Sequence, residues 1–460
     1  MSKIKILFAG GAGTATGSNF ILQVGKLKIM IDCGLYQGEK VSENRNRENF
    51  SYDPKKIDLL FVSHGHLDHV GRIPKLVKDG FSGTIISTPA TKDIGEFVLR
   101  DSVSILSKEA LRDNLSPIFE EEDVERTMSL WETIKYHEKI FLETGDLSIG
   151  KIEVVLYNSG HILGSSLIVF NILGKKIMFT GDLGNSPSPL LKETEIIKDI
   201  DYLITESVYG DRNHEDSQDR IKLLKATIKR IITKKGTLMI PAFSVERTQE
   251  LIYVFNNMVE NKEIPLIPVF LDSPLGIAIT KVYKKYEKDF NENVKEIIHS
   301  GDDIFSFAGL TISKTKEESQ AINSVKAPKV IIAGAGMSNG GRIVHHEARY
   351  LPHHNNILLL VGYQAAGTLG RKIQDGMKEV KINGEKIPIR AEIIQISGFS
   401  AHKDSNAIQE WISNMKDTLK KVFVVLGEPK SQNFLAQKLI EKYHLDVKVP
   451  KLDEVIEINL

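Results

Sequence analysis

Leu59-Leu60-Phe61-Val62-Ser63-His64-Gly65-His66-Leu67-Asp68-His69 reads as an apolar strand that runs straight into three histidines and an aspartate. Neutral imidazoles and a carboxylate are the donors a borderline divalent ion such as zinc accepts, and a loop at a strand end points alternate side chains at one place. The bland alternative is a solvated polar loop. With 13 histidines in 460 residues, three in one turn have no packing rationale. A cation needs further ligands, and two later Gly-flanked strand ends offer them. One is Asn158-Ser159-Gly160-His161-Ile162-Leu163-Gly164-Ser165, the other Met178-Phe179-Thr180-Gly181-Asp182-Leu183-Gly184. Taken alone, His161 is a turn residue and Asp182 an Asx-turn; beside the triple-histidine loop both read as ligands. Asp32, before Cys33-Gly34, is either a turn aspartate or an orienter of a metal-bound histidine.

Working outward, short apolar runs at 4–8, 27–31, 57–62, 152–156, 167–172 and 177–179 are punctuated by Gly, Asp or Ser, as sheet strands are. Helical spacing covers 91–112 and 120–135. From about Asp211 the texture changes. Amphipathic segments at 218–234, 245–256 and 277–291 alternate with strand-like runs at 236–240, 267–271 and 329–333, which predicts a second domain of parallel α/β type. Strand, turn and helix signals return after Gly370, at 387–396, 404–415, 422–426 and 434–443. A chain of 460 residues exceeds one ordinary domain of ~100–200 residues, so two domains or an insertion are expected. Lys plus Arg and Asp plus Glu both number 60, so no global field draws the protein to nucleic acid or to an anionic membrane, and any polyanion site is local. No run approaches the ~18 apolar residues of a spanning helix, so no membrane partner is expected. A single cysteine, Cys33, and an N-terminus without an apolar signal core favour the cytoplasm.

Two Gly-rich turns carry their own chemistry. Gly336-Met337-Ser338-Asn339-Gly340-Gly341-Arg342 and Gly362-Tyr363-Gln364-Ala365-Ala366-Gly367-Thr368-Leu369-Gly370-Arg371 each present backbone N–H groups that suit anionic oxygens, and each ends in an arginine. Either alone is a tight strand-to-helix connection; the pair points to phosphate, with Ser338, Gly340, Gly341, Arg342, Gly367, Thr368 and Arg371 as candidate contacts. Ser244 and Arg247, at a probable helix start, are secondary candidates, since a hydroxyl there also serves as a cap.

The order Asp32, His64-x-His66-x-Asp68-His69, His161, Asp182 resembles the metallo-β-lactamase fold, an αββα sandwich with metal at one edge of its sheets. The second half resembles the β-CASP nucleases, in which an α/β cap is inserted into that sandwich. The stretches that carry this are Thr205-Glu206-Ser207-Val208-Tyr209-Gly210-Asp211-Arg212, Pro241-Ala242-Phe243-Ser244-Val245-Glu246-Arg247-Thr248-Gln249-Glu250, the two Gly-rich turns, and Gly398-Phe399-Ser400-Ala401-His402-Lys403-Asp404. The resemblance implies a first domain at 1–207, a cap at 208–371 and a return to the first domain at 372–460. It implies metal ligands His64, His66, Asp68, His69, His161 and Asp182, and catalytic roles for Asp68, Glu206 and His402. The activity implied is zinc-dependent hydrolysis of phosphodiesters, with a metal-activated hydroxide as nucleophile and His402 as general acid.

RNA-processing members carry a histidine in a Val-His-Gly-Glu-like stretch that completes the second metal site. Here the run is Val424-Val425-Leu426-Gly427-Glu428, and leucine has no lone pair. One firmly bound zinc and a weak or empty second site are therefore expected. Leu426 also blurs the substrate, because Artemis-like DNA nucleases carry an apolar residue there. RNA is the first expectation and DNA the alternative, with a catalytically weak scaffold subunit as a further reading. Relatives of this kind also make a homodimer an option.

Overall fold

The computed structural model describes residues 3–38, 44–215 and 217–459. It separates into two compact units, one made of Met1–Ser186, Glu193–Asn213 and His402–Leu460, the other of Pro187–Lys192 and His214–Ala401.

The first unit holds two seven-stranded sheets. In the first the strand order is Glu454–Asn459, Lys3–Phe8, Phe20–Val24, Leu27–Ile31, Leu59–Phe61, Thr84–Ser87, Trp131–Thr133. In the second it is Val447–Lys448, Lys421–Val424, Tyr202–Thr205, Lys175–Phe179, Ser166–Ile172, Lys151–Asn158, Lys139–Glu143. Period-two alternation decides what each strand faces. Along Ser166–Ile172, Ile168, Phe170 and Ile172 join the core between the sheets, whereas Leu167 and Val169 join a second cluster. The inter-sheet core is rich in phenylalanine, with Phe61 and Phe170 edge-to-face at 5.5 Å. The second cluster packs Ile408, Trp411 and Ile412 of helix Ser405–Ser413 and Leu435 and Leu439 of helix Pro429–Tyr443 under the sheet. Fully burying each such side chain stabilises by roughly 1.5–3 kcal/mol. Helix Pro89–Arg112 lies on the first sheet, its Gly95 so close to the Trp131 ring that a Cβ would come within 2.9 Å of it.

One expectation is corrected here. The helix expected over 120–135 stops at Ser129, and Trp131–Thr133 is an edge strand parallel to Thr84–Ser87. The indole N–H of Trp131 donates to the Ser87 hydroxyl at 2.8 Å, a tertiary contact that local helical spacing does not encode.

The second unit is built on a six-stranded parallel sheet in the order Leu310–Ile312, Val269–Asp272, Lys329–Ala333, Thr237–Pro241, Ile357–Leu360, Glu392–Gln395. Its last strand pairs with Ile357–Leu360, so residues up to Ala401 belong to this unit. The sequence reading instead returned the chain to the first unit at 372. Among the described residues, no helix is long and apolar enough to cross a membrane.

Candidate metal centre

Apart from His402, which follows the turn Ser397–Phe399, every functional side chain expected in the first unit sits just beyond a strand: Asp32 after Leu27–Ile31, His64 to His69 after Leu59–Phe61, His161 after Lys151–Asn158, Asp182 after Lys175–Phe179 and Glu206 after Tyr202–Thr205. Four of them converge. His64 Nε2 lies 3.1 Å from His66 Nδ1, which lies 3.2 Å from His161 Nε2. Asp182 Oδ2 is 3.4 Å from both His64 Nε2 and His161 Nε2. Arms of about 2.0–2.1 Å, the usual zinc–nitrogen length, set tetrahedral edges of about 3.3–3.4 Å, so the donor set fits zinc. Burial first, and then the neighbouring His69 for His64 and His402 for His161, holds both imidazoles well below the usual histidine range. They are neutral, as ligands must be.

The other oxygen of Asp182 faces a different set. Oδ1 is 3.4 Å from His69 Nε2, and Asp68 Oδ2 lies 4.0 Å from the same nitrogen. Among the described residues the buried His69 Nε2 has no well-aligned hydrogen-bond partner, as suits an atom that would take a cation. Its other nitrogen, Nδ1, donates to Asp32 Oδ2 at 2.7 Å. Burial opposes a charge on His69, yet Asp182 and Asp32 together hold its pKa well above the usual range. Asp32 is fully buried in a left-handed backbone conformation, φ 57°. It also accepts from the Ser63 N–H at 2.8 Å, the Ser63 hydroxyl at 2.9 Å and the Ser18 hydroxyl at 3.0 Å.

A third arrangement joins Glu206 and His402. Glu206 is completely buried; its Oε1 accepts from Leu183 N–H at 2.7 Å and its Oε2 from Val208 N–H at 3.2 Å. His402 Nδ1 lies 3.1 Å from Glu206 Oε1 and 3.9 Å from Asp182 Oδ2. Burial pushes against a charge on His402, but Glu206 and Asp182 outweigh it and raise the pKa to about 9. Asp182, Glu206 and His402 also lie close enough to share an ion, although both Glu206 oxygens already receive backbone donors.

Leu426 is 1% exposed and sits in a left-handed conformation, φ 48°. Its N–H donates to Gly11 O at 2.7 Å, and it belongs to the inter-sheet core.

The anion candidates of the second unit all follow neighbouring parallel strands. Ser244 and Arg247 follow Thr237–Pro241, Ser338 to Arg342 follow Lys329–Ala333, and Gly367 to Arg371 follow Ile357–Leu360. Ligand crevices in open parallel sheets form at this carboxyl edge. The loops interlock through Gln364 Nε2 donating to Gly336 O at 3.0 Å and Gly370 N–H donating to Met337 O at 3.0 Å. Many of the named side chains have intramolecular partners. Arg342 binds Asp272 Oδ1 at 2.7 Å and Ser313 O at 2.9 Å, Arg371 pairs with Asp375 at 3.1 Å, and Arg247 pairs with Glu250. Ser338 donates to Glu347 at 2.6 Å, Ser244 meets Ser273 at 3.1 Å, and Thr368 caps the helix Leu369–Gln374. Gly340 and Gly341 form the turn before Arg342, and Gly367, φ 83°, the turn before Thr368.

Sequence reasoning missed Asp272, which is fully buried and binds His346 and Arg342; Glu347 beneath Ser338; and Lys403. An aspartate at a strand end, a glutamate among charged helix neighbours and a lysine beside a histidine carry no distinguishing local signal.

With the geometry in hand, the comparisons are consistent at three places along the chain. Residues 21–208 match the metallo-beta-lactamase superfamily domain, 248–373 the Beta-Casp domain, and 386–450 the Zn-dependent metallo-hydrolase RNA specificity domain. Ribonuclease TTHA0252 of Thermus thermophilus is 33% identical over 89% of this chain and 90% of its own length. The chain belongs to the β-CASP family of metallo-β-lactamase-fold hydrolases. An RNase J-like protein of Methanocaldococcus jannaschii is 30% identical, covering 99% of this chain and 100% of that protein. Cleavage and polyadenylation specificity factor 73 of Drosophila melanogaster is 30% identical over 95% of this chain and 62% of its own. A solved structure from Enterococcus faecalis V583, titled a protein of unknown function, aligns with TM-score 0.54 at 13% identity, covering 99% of this chain and 100% of that one; it supports the fold alone. This β-CASP hydrolase is thus a zinc-dependent metallo-hydrolase by family, with an α/β sandwich and a parallel α/β cap as expected.

Proposed function

We propose that this protein is a cytoplasmic ribonuclease that hydrolyses phosphodiester bonds of RNA. The observation that carries the reading is the set of four donor atoms on His64, His66, His161 and Asp182, spaced 3.1–3.4 Å apart along the measured pairs. These residues would hold one zinc ion firmly, and Asp68, His69 and Asp182 a second one weakly, because leucine at 426 offers no lone pair. When bound, zinc supplies Lewis-acid stabilisation of phosphoryl oxygens and a low pKa for water.

The chain's own residues do the rest. Asp182 carries the negative charge that both donor sets share. Glu206, fixed by two backbone N–H groups, orients His402 through Nδ1 and keeps the ring protonated at neutral pH. His402 passes its proton from Nε2 to the leaving sugar oxygen, the task of a general acid whose protonated form dominates at the working pH. Asp68 shares the buried pocket of His69 and Asp182, and burial raises its pKa to about 6. Ser244, Arg247, Ser338, Gly340, Gly341, Arg342, Gly367, Thr368 and Arg371 remain the proposed phosphate contacts of the cap, through backbone N–H groups more than through the arginines, which have carboxylate partners of their own.

The test is cleavage of end-labelled RNA and DNA of one sequence by the zinc-loaded protein, with and without chelator. RNA cleavage abolished by chelator is expected. Cleavage of DNA alone would move the protein to the DNA alternative that Leu426 leaves open, and cleavage of neither would end the reading.

A further inference from the structure

Lys403 follows His402 directly and is buried at 5% exposure. Its ammonium has no carboxylate partner among the described residues. It donates instead to the Gly184 carbonyl at 2.6 Å and the Ser186 hydroxyl at 3.1 Å, and its backbone N–H donates to Leu183 O at 2.8 Å. Burial lowers its pKa to about 8. A buried cation without a counter-ion is costly, and a leucine or methionine would fill the same volume without that cost. The location supplies a reason to keep it.

Gly184 is where the His161 and Asp182 ligand loops meet the His402 segment. Its N–H donates to Ser159 O at 2.9 Å in the His161 loop, and a Cβ at this position would lie 2.0 Å from Gly160 O, so only glycine allows the approach. Gly184 also forms an antiparallel bridge with His402, and it lies two residues beyond Asp182. The Thr194 hydroxyl donates to Ser159 O at 2.8 Å and reaches Gly184 O at 3.4 Å. The Gly184 carbonyl, reached by Thr194 only at 3.4 Å, takes its short bond from Lys403 at 2.6 Å.

We infer that Lys403 is a positioning residue whose ammonium staples the 182–186 turn to the His402 segment, thereby setting Asp182 against the zinc ligands and His402 against the substrate. The inference rests on the zinc-site reading above. Lys403 touches no ligand side chain and no reacting atom in this arrangement; it acts through Gly184 and Ser186.

The experiment compares wild type, Lys403→Met and Lys403→Arg, each loaded with zinc. Two quantities are read: the rate of zinc release to a chromophoric chelator, and kcat and KM on RNA. Lys403→Met should release zinc about tenfold faster and lose about tenfold in kcat with KM nearly unchanged, in the range that outer-shell partners of metal sites command. Lys403→Arg, which keeps donors at the same reach, should recover most of both. Wild-type zinc release and kcat in a folded Lys403→Met, or a Lys403→Arg as impaired as Lys403→Met, would overturn the inference. Should Lys403→Met fail to fold, Ser186→Ala removes one acceptor and should speed release roughly threefold; an unchanged rate there would overturn it equally. Zinc release needs no substrate, so it reports on Lys403 even if the wild-type protein cleaves no RNA.

Discussion

Replacing Asp32 by Asn tests the second donor set through a residue that touches it from behind. Asparagine tolerates the left-handed backbone at φ 57°, so the change acts on hydrogen bonds alone. One Asp32 oxygen accepts the Ser63 N–H; the other accepts two hydroxyls and His69 Nδ1, the last at 2.7 Å. An amide can supply only one of those oxygens. With its carbonyl kept on the Ser63 N–H, its NH2 faces three donors. The hydroxyls of Ser18 and Ser63 can rotate to accept, but His69 must give up its Nδ1 proton and keep the one on Nε2, the nitrogen that faces Asp182 Oδ1 at 3.4 Å. Losing a hydrogen bond to a charged group costs about 1.5–3 kcal/mol, to be read as a lower urea midpoint for metal-free protein. The second equivalent of zinc should weaken by about 10–100-fold in a chelator competition. The first should change much less, because Asp32 reaches His64 only by way of the Ser63 hydroxyl, 3.0 Å from His64 Nδ1. Asp32→Asn with wild-type stability and both zinc affinities intact would refute the orienting role.

Three further outcomes are expected. His402 donates a proton only while protonated, so activity should fall as pH rises through its pKa; that pKa is about 9 without a cation, and zinc's charge would place it lower. His402→Ala should lose this alkaline limb along with about 10²–10⁴ of rate, and a pH–rate profile with the limb intact would reassign the donor. Leu426→His should raise the zinc-to-protein ratio by elemental analysis, whereas an unchanged ratio would mean that 426 is not the missing ligand. Glu347, pushed up to about 8 by burial, keeps its proton in the folded chain where the unfolded chain has lost it, so it makes stability decline as pH climbs from about 4.5 toward about 8. Glu347→Gln should flatten that slope in thermal unfolding across this window; an unaltered slope would place Glu347's ionisation elsewhere.

The metal centre was legible because its residues announce themselves locally. His64, His66, Asp68 and His69 share one turn, and His161 and Asp182 each stand at a Gly-flanked strand end, so strand punctuation and residue chemistry coincide. Which oxygen of Asp182 meets which histidine was not legible, since it depends on how two sheets stack. The cap's arginines show the opposite failure. Arg342 beside glycines reads as an anion donor, and nothing local reveals that Asp272, some seventy positions earlier in the chain, already lies 2.7 Å away. The limits of the cap were hidden for the same reason: whether 392–395 extends the parallel sheet depends on its pairing with Ile357–Leu360, not on its composition. Nothing local marks Lys403 as buried, since lysine is mostly a solvated residue.

The histidines divide by the company each keeps, and that division bears on Leu426. His64 and His161 face one another's neighbours and a single shared carboxylate oxygen, and they are held neutral. His69 and His402 each own a buried carboxylate, Asp32 and Glu206, and are held charged despite burial. A charged His69 sets an N–H 3.4 Å from Asp182 Oδ1, so that oxygen is already partly neutralised by the protein itself. Asp68, His69 and Asp182 would hold a second zinc once His69 gave up this proton, with no imidazole at 426 to join them. The weak second ion proposed above therefore rests on the leucine, and restoring a histidine at 426 should strengthen it; Asp32 works the other way, holding the Nδ1–H of His69 so that Nε2 faces the second position.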